Sequence, residues 1–189
     1  MAKYYRKPKT KKYYMQWRGS WADKPYSDGT VSDYGCGLLA ITHLALEQGK
    51  KRTPNSYLDF MNKYTEGGKG TMWYGITEAM KYIGLKEVKE YEGDIVKNTM
   101  TEFYKEMKKG DRVGVILFQN PLRPNGTKKA PDGTVWTNSG HFVAVLGIKK
   151  VKKTYYLYVK DSSDEEKIGW FSYVHSMKEC IRYLYTGKI

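Results

Sequence analysis

A chain of 189 residues can fold as one domain that buries roughly 70% of its unfolded surface, so its core needs no staples. Only two cysteines occur, Cys36 and Cys180, and no run of about 18 apolar residues or signal-peptide apolar core follows Met1. This excludes a disulfide-knit scaffold and a helical membrane span, and the expectation is a soluble chain, cytoplasmic as synthesised, with reduced thiols. Lysine and arginine outnumber the acids 33 to 20, and the resulting +13 draws the chain toward polyanions: nucleic acid, anionic lipid or acidic wall polymers. The 18 tyrosines supply rings, but no glycine-aromatic signature of a base-stacking module is present, so no dedicated nucleic-acid motif is read.

Residues 1–12 are basic and turn-rich and are expected to form a flexible arm, leaving 13–189 as the single domain. Residues 13–35 carry Pro25, Asp28-Gly29 and Ser32-Asp33, which favour turns over long elements. A helix is predicted from Cys36 to Gln48, closed by Gly49. Further helices are predicted over 55–64 and over 73–83, where Trp73, Ile76, Met80 and Ile83 recur at helical spacing. A short strand over Leu85–Tyr91 and a fourth helix over 95–109 follow.

The periodicity then changes. Runs at Arg112–Phe118, His141–Ile148 and Thr154–Lys160 are strands, the last two joined by a basic turn as an antiparallel hairpin. Between the first two lies a Pro/Gly/Asn/Lys-rich loop, 119–140, of the length that is usually functional or disordered. Helices first and strands later make the fold α+β, with a helical N-terminal part packed on an antiparallel sheet.

Within this frame Cys36 stands between Gly35 and Gly37, where loop gives way to an apolar helix. Helix starts leave backbone N–H groups unpaired and carry partial positive charge, a setting that favours the nucleophilic thiolate; a small buried hydrophobe is the other role such a cysteine can have. A nucleophile needs a base. His141 opens an apolar strand, so its ring can face the mouth of a cleft. His43 lies seven residues after Cys36 on the same helix, roughly 10 Å away along its axis, and reads as structural; His175 has no constellation around it. If 141–148 and 154–160 form a hairpin, its open end sets His141 beside Asp161, which can then fix the ring. Asp164 lies farther along and reads as a turn residue.

The stretch Gln16-Trp17-Arg18-Gly19-Ser20-Trp21-Ala22-Asp23-Lys24-Pro25-Tyr26, with Gly35-Cys36-Gly37, Gly140-His141-Phe142-Val143 and Val159-Lys160-Asp161, resembles the papain-like cysteine peptidases related to the double-glycine leader peptidases of bacteriocin exporters. The likeness spans roughly residues 13–165 and rests on linked spacings, including 36 − 16 = 20 between Gln16 and the cysteine. It implies a papain-like fold with Cys36 as nucleophile, His141 as general base and then acid, Asp161 as its orienter and Gln16 as a side-chain donor to the oxyanion. Leu38-Leu39 departs from the Pro-Thr/Ser that often follows the nucleophile in that family, and the 119–140 loop is longer than usual.

The expected activity is hydrolysis of a peptide or isopeptide bond, in a bacterial or phage setting, with a peptide, protein or peptidoglycan substrate. Acyl transfer on the same scaffold, or a retired enzyme serving as a basic protein- or nucleic-acid-binding module, are the alternatives. No cofactor is indicated and no metal site is expected, because two cysteines 144 positions apart and three scattered histidines match no zinc spacing. Gly67-Gly68-Lys69-Gly70-Thr71 lacks the preceding strand of a phosphate-binding loop.

Overall fold

In a computed structural model, which describes residues 1–92, 97–119 and 129–189, strand β1 (Ala2–Arg6) is followed by a long irregular segment and the small ladder of β2 (Pro25–Tyr26) with β3 (Gly29–Thr30). Helix α1 (Val31–Tyr34) then hands over through Gly35 to α2 (Cys36–Glu47). Apolar residues surround α2 on every side, and every residue from Gly37 to Glu47 is buried. Gly49, at φ +84°, ends it in left-handed backbone.

A 3-10 turn, Pro54–Ser56, leads into α3 (Leu58–Asn62). The predicted helix over 55–64 is thus broken and shorter, because Tyr57 at φ −118° interrupts it. The ladder of β4 (Thr65–Glu66) with β5 (Gly70–Thr71) precedes α4 (Trp73–Tyr82), β6 (Lys86–Glu92) and α5 (Lys97–Met107). Residues 95–96 of the predicted fourth helix lie outside the described residues.

The remaining strands are β7 (Arg112–Gln119), β8 (Gly140–Val151), β9 (Thr154–Lys160), β10 (Ile168–Ser172) and β11 (Ile181–Lys188). They form an antiparallel sheet in the order β10-β9-β8-β7-β11-β6. Alternation along β8 divides the core. Phe142, Ala144 and Leu146 face α2 and α4 with Leu38, Ile41, Ile76 and Met80, whereas Val143 and Val145 face Phe103 and Met107 of α5. Each fully buried leucine of α2 contributes about 2 kcal/mol by leaving water, which fixes the helix that carries Cys36.

Residues 2–6 do not form a flexible arm. β1 extends the sheet by pairing with the far half of β8, Ala2 opposite Val151 and Lys3 opposite Lys150. Arg6 is buried and donates to Leu146 O (3.1 Å), Gly110 O (3.1 Å) and Glu47 Oε1 (2.7 Å). Within the 119–140 loop, residues 120–128 lie outside the described residues. The stretch after them is docked: Trp136 is buried, stacks on Phe118 at 4.3 Å and donates to Ser176 O.

Candidate active site

Cys36 is the first residue of α2 and is half-buried. Its flanking glycines are required by packing. A Cβ at Gly35 would lie 2.4 Å from Val31 O, and one at Gly37 would lie 2.4 Å from Thr71 Oγ1. Neither has a positive φ, so the close approach of these neighbours, and not freedom to turn, is what calls for glycine there. Beneath this turn Thr71 Oγ1 and the buried Tyr26 hydroxyl share a 2.7 Å hydrogen bond. Burial, with Cys36 nearby, raises the Tyr26 phenol, so it stays neutral.

The β8–β9 hairpin exists, with Ala144 opposite Lys160. Its open end carries His141, opposite Phe118 on β7, and Asp161 just past β9. His141 Nε2 and Asp161 Oδ1 are 2.7 Å apart, and both residues are buried. The same carboxylate oxygen accepts from the Ser163 N–H and hydroxyl, each at 2.8 Å. Ser163 follows Asp161 by two residues, the spacing of an Asx turn, so Asp161-Ser162-Ser163 carries a local signal for this contact. Cys36 is near enough to the imidazole to favour its charged form. With Nε2 engaged, Nδ1 is the nitrogen left to face the sulfur.

The charges follow from this arrangement. Burial opposes a charged ring, but the hydrogen bond and charge of Asp161, joined by Cys36, outweigh it and raise His141 from 6.5 to about 10. Burial likewise pushes the Asp161 carboxyl up, yet His141 and Ser163 hold it below its ordinary 3.8.

Gln16 lies where three segments meet. Its N–H donates to Ser162 O at 2.9 Å, its Nε2 to Ser32 O at 2.8 Å, and its Oε1 accepts from the Ser162 hydroxyl at 3.1 Å. The amide is therefore tied both to α1, which precedes Cys36, and to the turn after Asp161. Neither serine carried a signal in the sequence reading.

A cleft of about 690 Å³ opens beside Cys36. Met72 and Trp73 at the start of α4 line one part of it, and Leu117, Gly140 and Phe142 of β7 and β8 another. Trp73 stacks on Tyr183 at 5.3 Å. Asp164 stands apart from this site, accepting from Glu166 N–H as the cap of a 3-10 turn, and His175 is exposed on a π-helical turn. No group of three or more metal-ligating side chains occurs among the described residues.

His43 is fully enclosed where α2 meets the irregular segment that follows β1, a strap across the helix, and its Nε2 accepts from Tyr14 N–H at 2.9 Å. Burial, reinforced by the nearby Lys160 charge, depresses its pKa from 6.5 to about 3. Because the folded value lies below the unfolded one, its contribution is complete above pH 6.5 and is lost as pH falls toward about 3. This linkage amounts to on the order of 5 kcal/mol. Urea unfolding of His43→Gln should therefore vary less between about pH 6 and 4 than that of the wild type. Equal pH slopes for the two proteins would refute this role.

The α+β architecture is that of a papain-like fold. Residues 9–189 match the model of the Peptidase_C39 like family, and the chain belongs to that family. A crystal structure from Bacillus anthracis, provisionally assigned as a C39-like peptidase, is similar over 94% of each chain at 16% identity with a TM-score of 0.56, a likeness of fold alone. A structure of SERA5E from Plasmodium falciparum aligns over 52% of this chain and 45% of its own, at 16% identity and a TM-score of 0.31, too loosely to bear on the fold. No curated protein sequence matches.

Proposed function

We propose that the protein is a cysteine peptidase in which Cys36, His141 and Asp161 form a catalytic triad and Gln16 completes an oxyanion hole. The observation that carries this reading is the His141 ring, held at Nε2 by Asp161 at 2.7 Å, with Cys36 close enough to favour its charged form. Membership of the C39-like peptidases supports the class of reaction.

In this mechanism the Cys36 sulfur attacks the scissile carbonyl carbon while the imidazole carries the thiol's proton. The C–N bond breaks as His141 gives that proton to the leaving nitrogen, and an acyl-thioester remains. Water, deprotonated by His141, then attacks the thioester and restores the thiol. Asp161 holds the ring's tautomer and orientation throughout.

As the oxyanion forms, it needs N–H donors already in place. Gln16 suits this role because Ser162 fixes its oxygen and Ser32 takes only one Nε2 proton, leaving the second available. The Cys36 backbone N–H, at the start of α2, supplies the other donor. Gln16→Ala should lower kcat roughly 100- to 1,000-fold with a much smaller change in KM, because the interaction develops in the transition state. A loss confined to KM would remove Gln16 from the oxyanion hole.

The substrate we infer is a peptide. The cleft of about 690 Å³ exceeds what a small amide needs, and its walls mix aromatic and aliphatic side chains with polar and charged ones, as a peptide's alternating backbone and side chains require. Mass spectrometry of purified peptidoglycan and of a bacterial proteome, treated with wild type or Cys36→Ala, tests this directly. New termini that depend on Cys36 support peptide hydrolysis, whereas their absence from both pools would overturn it. Adding a free amine distinguishes hydrolysis from transfer by product mass.

A further inference from the structure

We infer that the end of the molecule remote from the cleft, built from β1, the β8–β9 turn and the chain beside the α2 C-terminus, is a docking surface for a flexible, nucleobase-free polyphosphate chain. The inference is independent of the catalytic reading. Its first support is charge segregation. No Asp or Glu occurs in 1–22 or 133–160, and Glu47 is the only one in 34–58. Glu47 is consumed internally, by Arg6 and by the N–H groups of Lys9 and Thr10.

The fold brings these three acid-poor segments together. β1 pairs with the end of β8 so that Lys3 stands opposite Lys150. Like charges directly opposite on neighbouring strands destabilise a sheet unless an anion compensates them. Lys149, Lys150, Lys152 and Lys153 crowd this turn. The chain leaving β1 then lines, through Lys9 and Lys12, a cavity of about 430 Å³ whose other side carries Lys50 and Lys51. None of these lysines lies within ion-pairing distance of a carboxylate among the described residues. Elsewhere on the surface, Lys69, Lys81, Lys105 and Lys167 each pair with an acid three residues away.

The aromatic rings at this end indicate which polyanion fits. Lys7 and Lys149 both sit over Tyr4, at 4.4 and 5.5 Å, and Lys149 also lies 4.6 Å from the centre of Trp170. These rings hold ammonium groups over their faces and so offer poor platforms for stacked bases. The lysines also wrap from the sheet edge around to the end of α2. A flexible chain can follow that path, whereas a stiff duplex or a flat bilayer meets one side of it. His141 and Lys149 are eight residues apart on β8, about 26 Å, so a bound polymer leaves the cleft open.

Long-chain inorganic polyphosphate is the probe, with binding measured by titration calorimetry from about 0.05 to 0.3 M salt. The fourfold Lys→Ala variant at 149, 150, 152 and 153 should bind at least tenfold more weakly at about 0.15 M salt. Its log K against log salt should be shallower by about 3, from four lost contacts. A control with the same net charge, Lys→Ala at 63, 81, 105 and 167, should stay within about twofold of wild type, and Lys9→Ala/Lys12→Ala should weaken binding without touching the strand pair. Equal losses in the two fourfold variants would reduce the effect to net charge and overturn the inference. So would tighter binding to duplex DNA of equal phosphate count, or to vesicles containing anionic lipid.

Discussion

Cys36→Ala is expected to lower turnover by at least about 10,000-fold while leaving the unfolding free energy within about 1 kcal/mol of wild type. The chemical loss is large because the acyl-enzyme route requires the sulfur, and the Ser163 hydroxyl, 3.3 Å from His141 Nε2, donates to Asp161 instead. Little stability should be lost, because Cys36 is only half-buried and the seat of α2 is made by Leu38, Leu39, Ile41 and Leu44. Alkylation gives a test that needs no substrate. At about pH 6.5 iodoacetamide should modify Cys36 well before the buried Cys180. His141→Ala should slow the labelling of Cys36 without changing that of Cys180, since the imidazolium, favoured up to about pH 10 by its Asp161 partner, is then gone. Equal and slow labelling of both cysteines in the wild type would remove Cys36 as a nucleophile.

The proximity of His141 and Asp161 was legible because a tight hairpin converts separation in sequence into adjacency: with turn residues 152–153 at one end, the other end must bring 141 near 161. α2 was legible for a similar local reason, its apolar run being bounded by glycines. The position of β11 was not. It lies between β6 and β7, and a strand's partners at such separations leave no periodicity to read. Gln16 entered the reading through the family resemblance alone, because its local sequence is irregular and the serines that hold it come from two other segments. Residues 2–6 were misread for a related reason. Lys3, Arg6 and Lys7 look solvated by composition, yet the partners that bury Arg6 are Glu47, Gly110 and Leu146, none of them local.

Glu47→Ala should consequently be the most destabilising single substitution outside the apolar core, at about 3 to 5 kcal/mol. The Arg6–Glu47 pair is 2.7 Å long, with side-chain exposures of 5% and 0%. Removing the carboxylate leaves the Arg6 charge buried with only carbonyl partners, and it orphans the Lys9 and Thr10 N–H groups. The effect should travel along the strap. Thr10 O and Lys12 O accept from Lys160, Tyr14 N–H donates to His43, and two residues later Gln16 is tied to Ser162. Hydrogen exchange in Glu47→Ala should therefore quicken across residues 2–14 before it quickens in β7 or β8, and kcat should fall more than KM rises because Gln16 is less firmly held. Arg6→Met/Glu47→Leu, which removes both charges and keeps apolar volume, should recover more than half of the lost stability in urea unfolding. If Glu47→Ala costs less than about 1 kcal/mol, or the double variant is less stable than the single one, the ion pair is not what fastens the N-terminal strap.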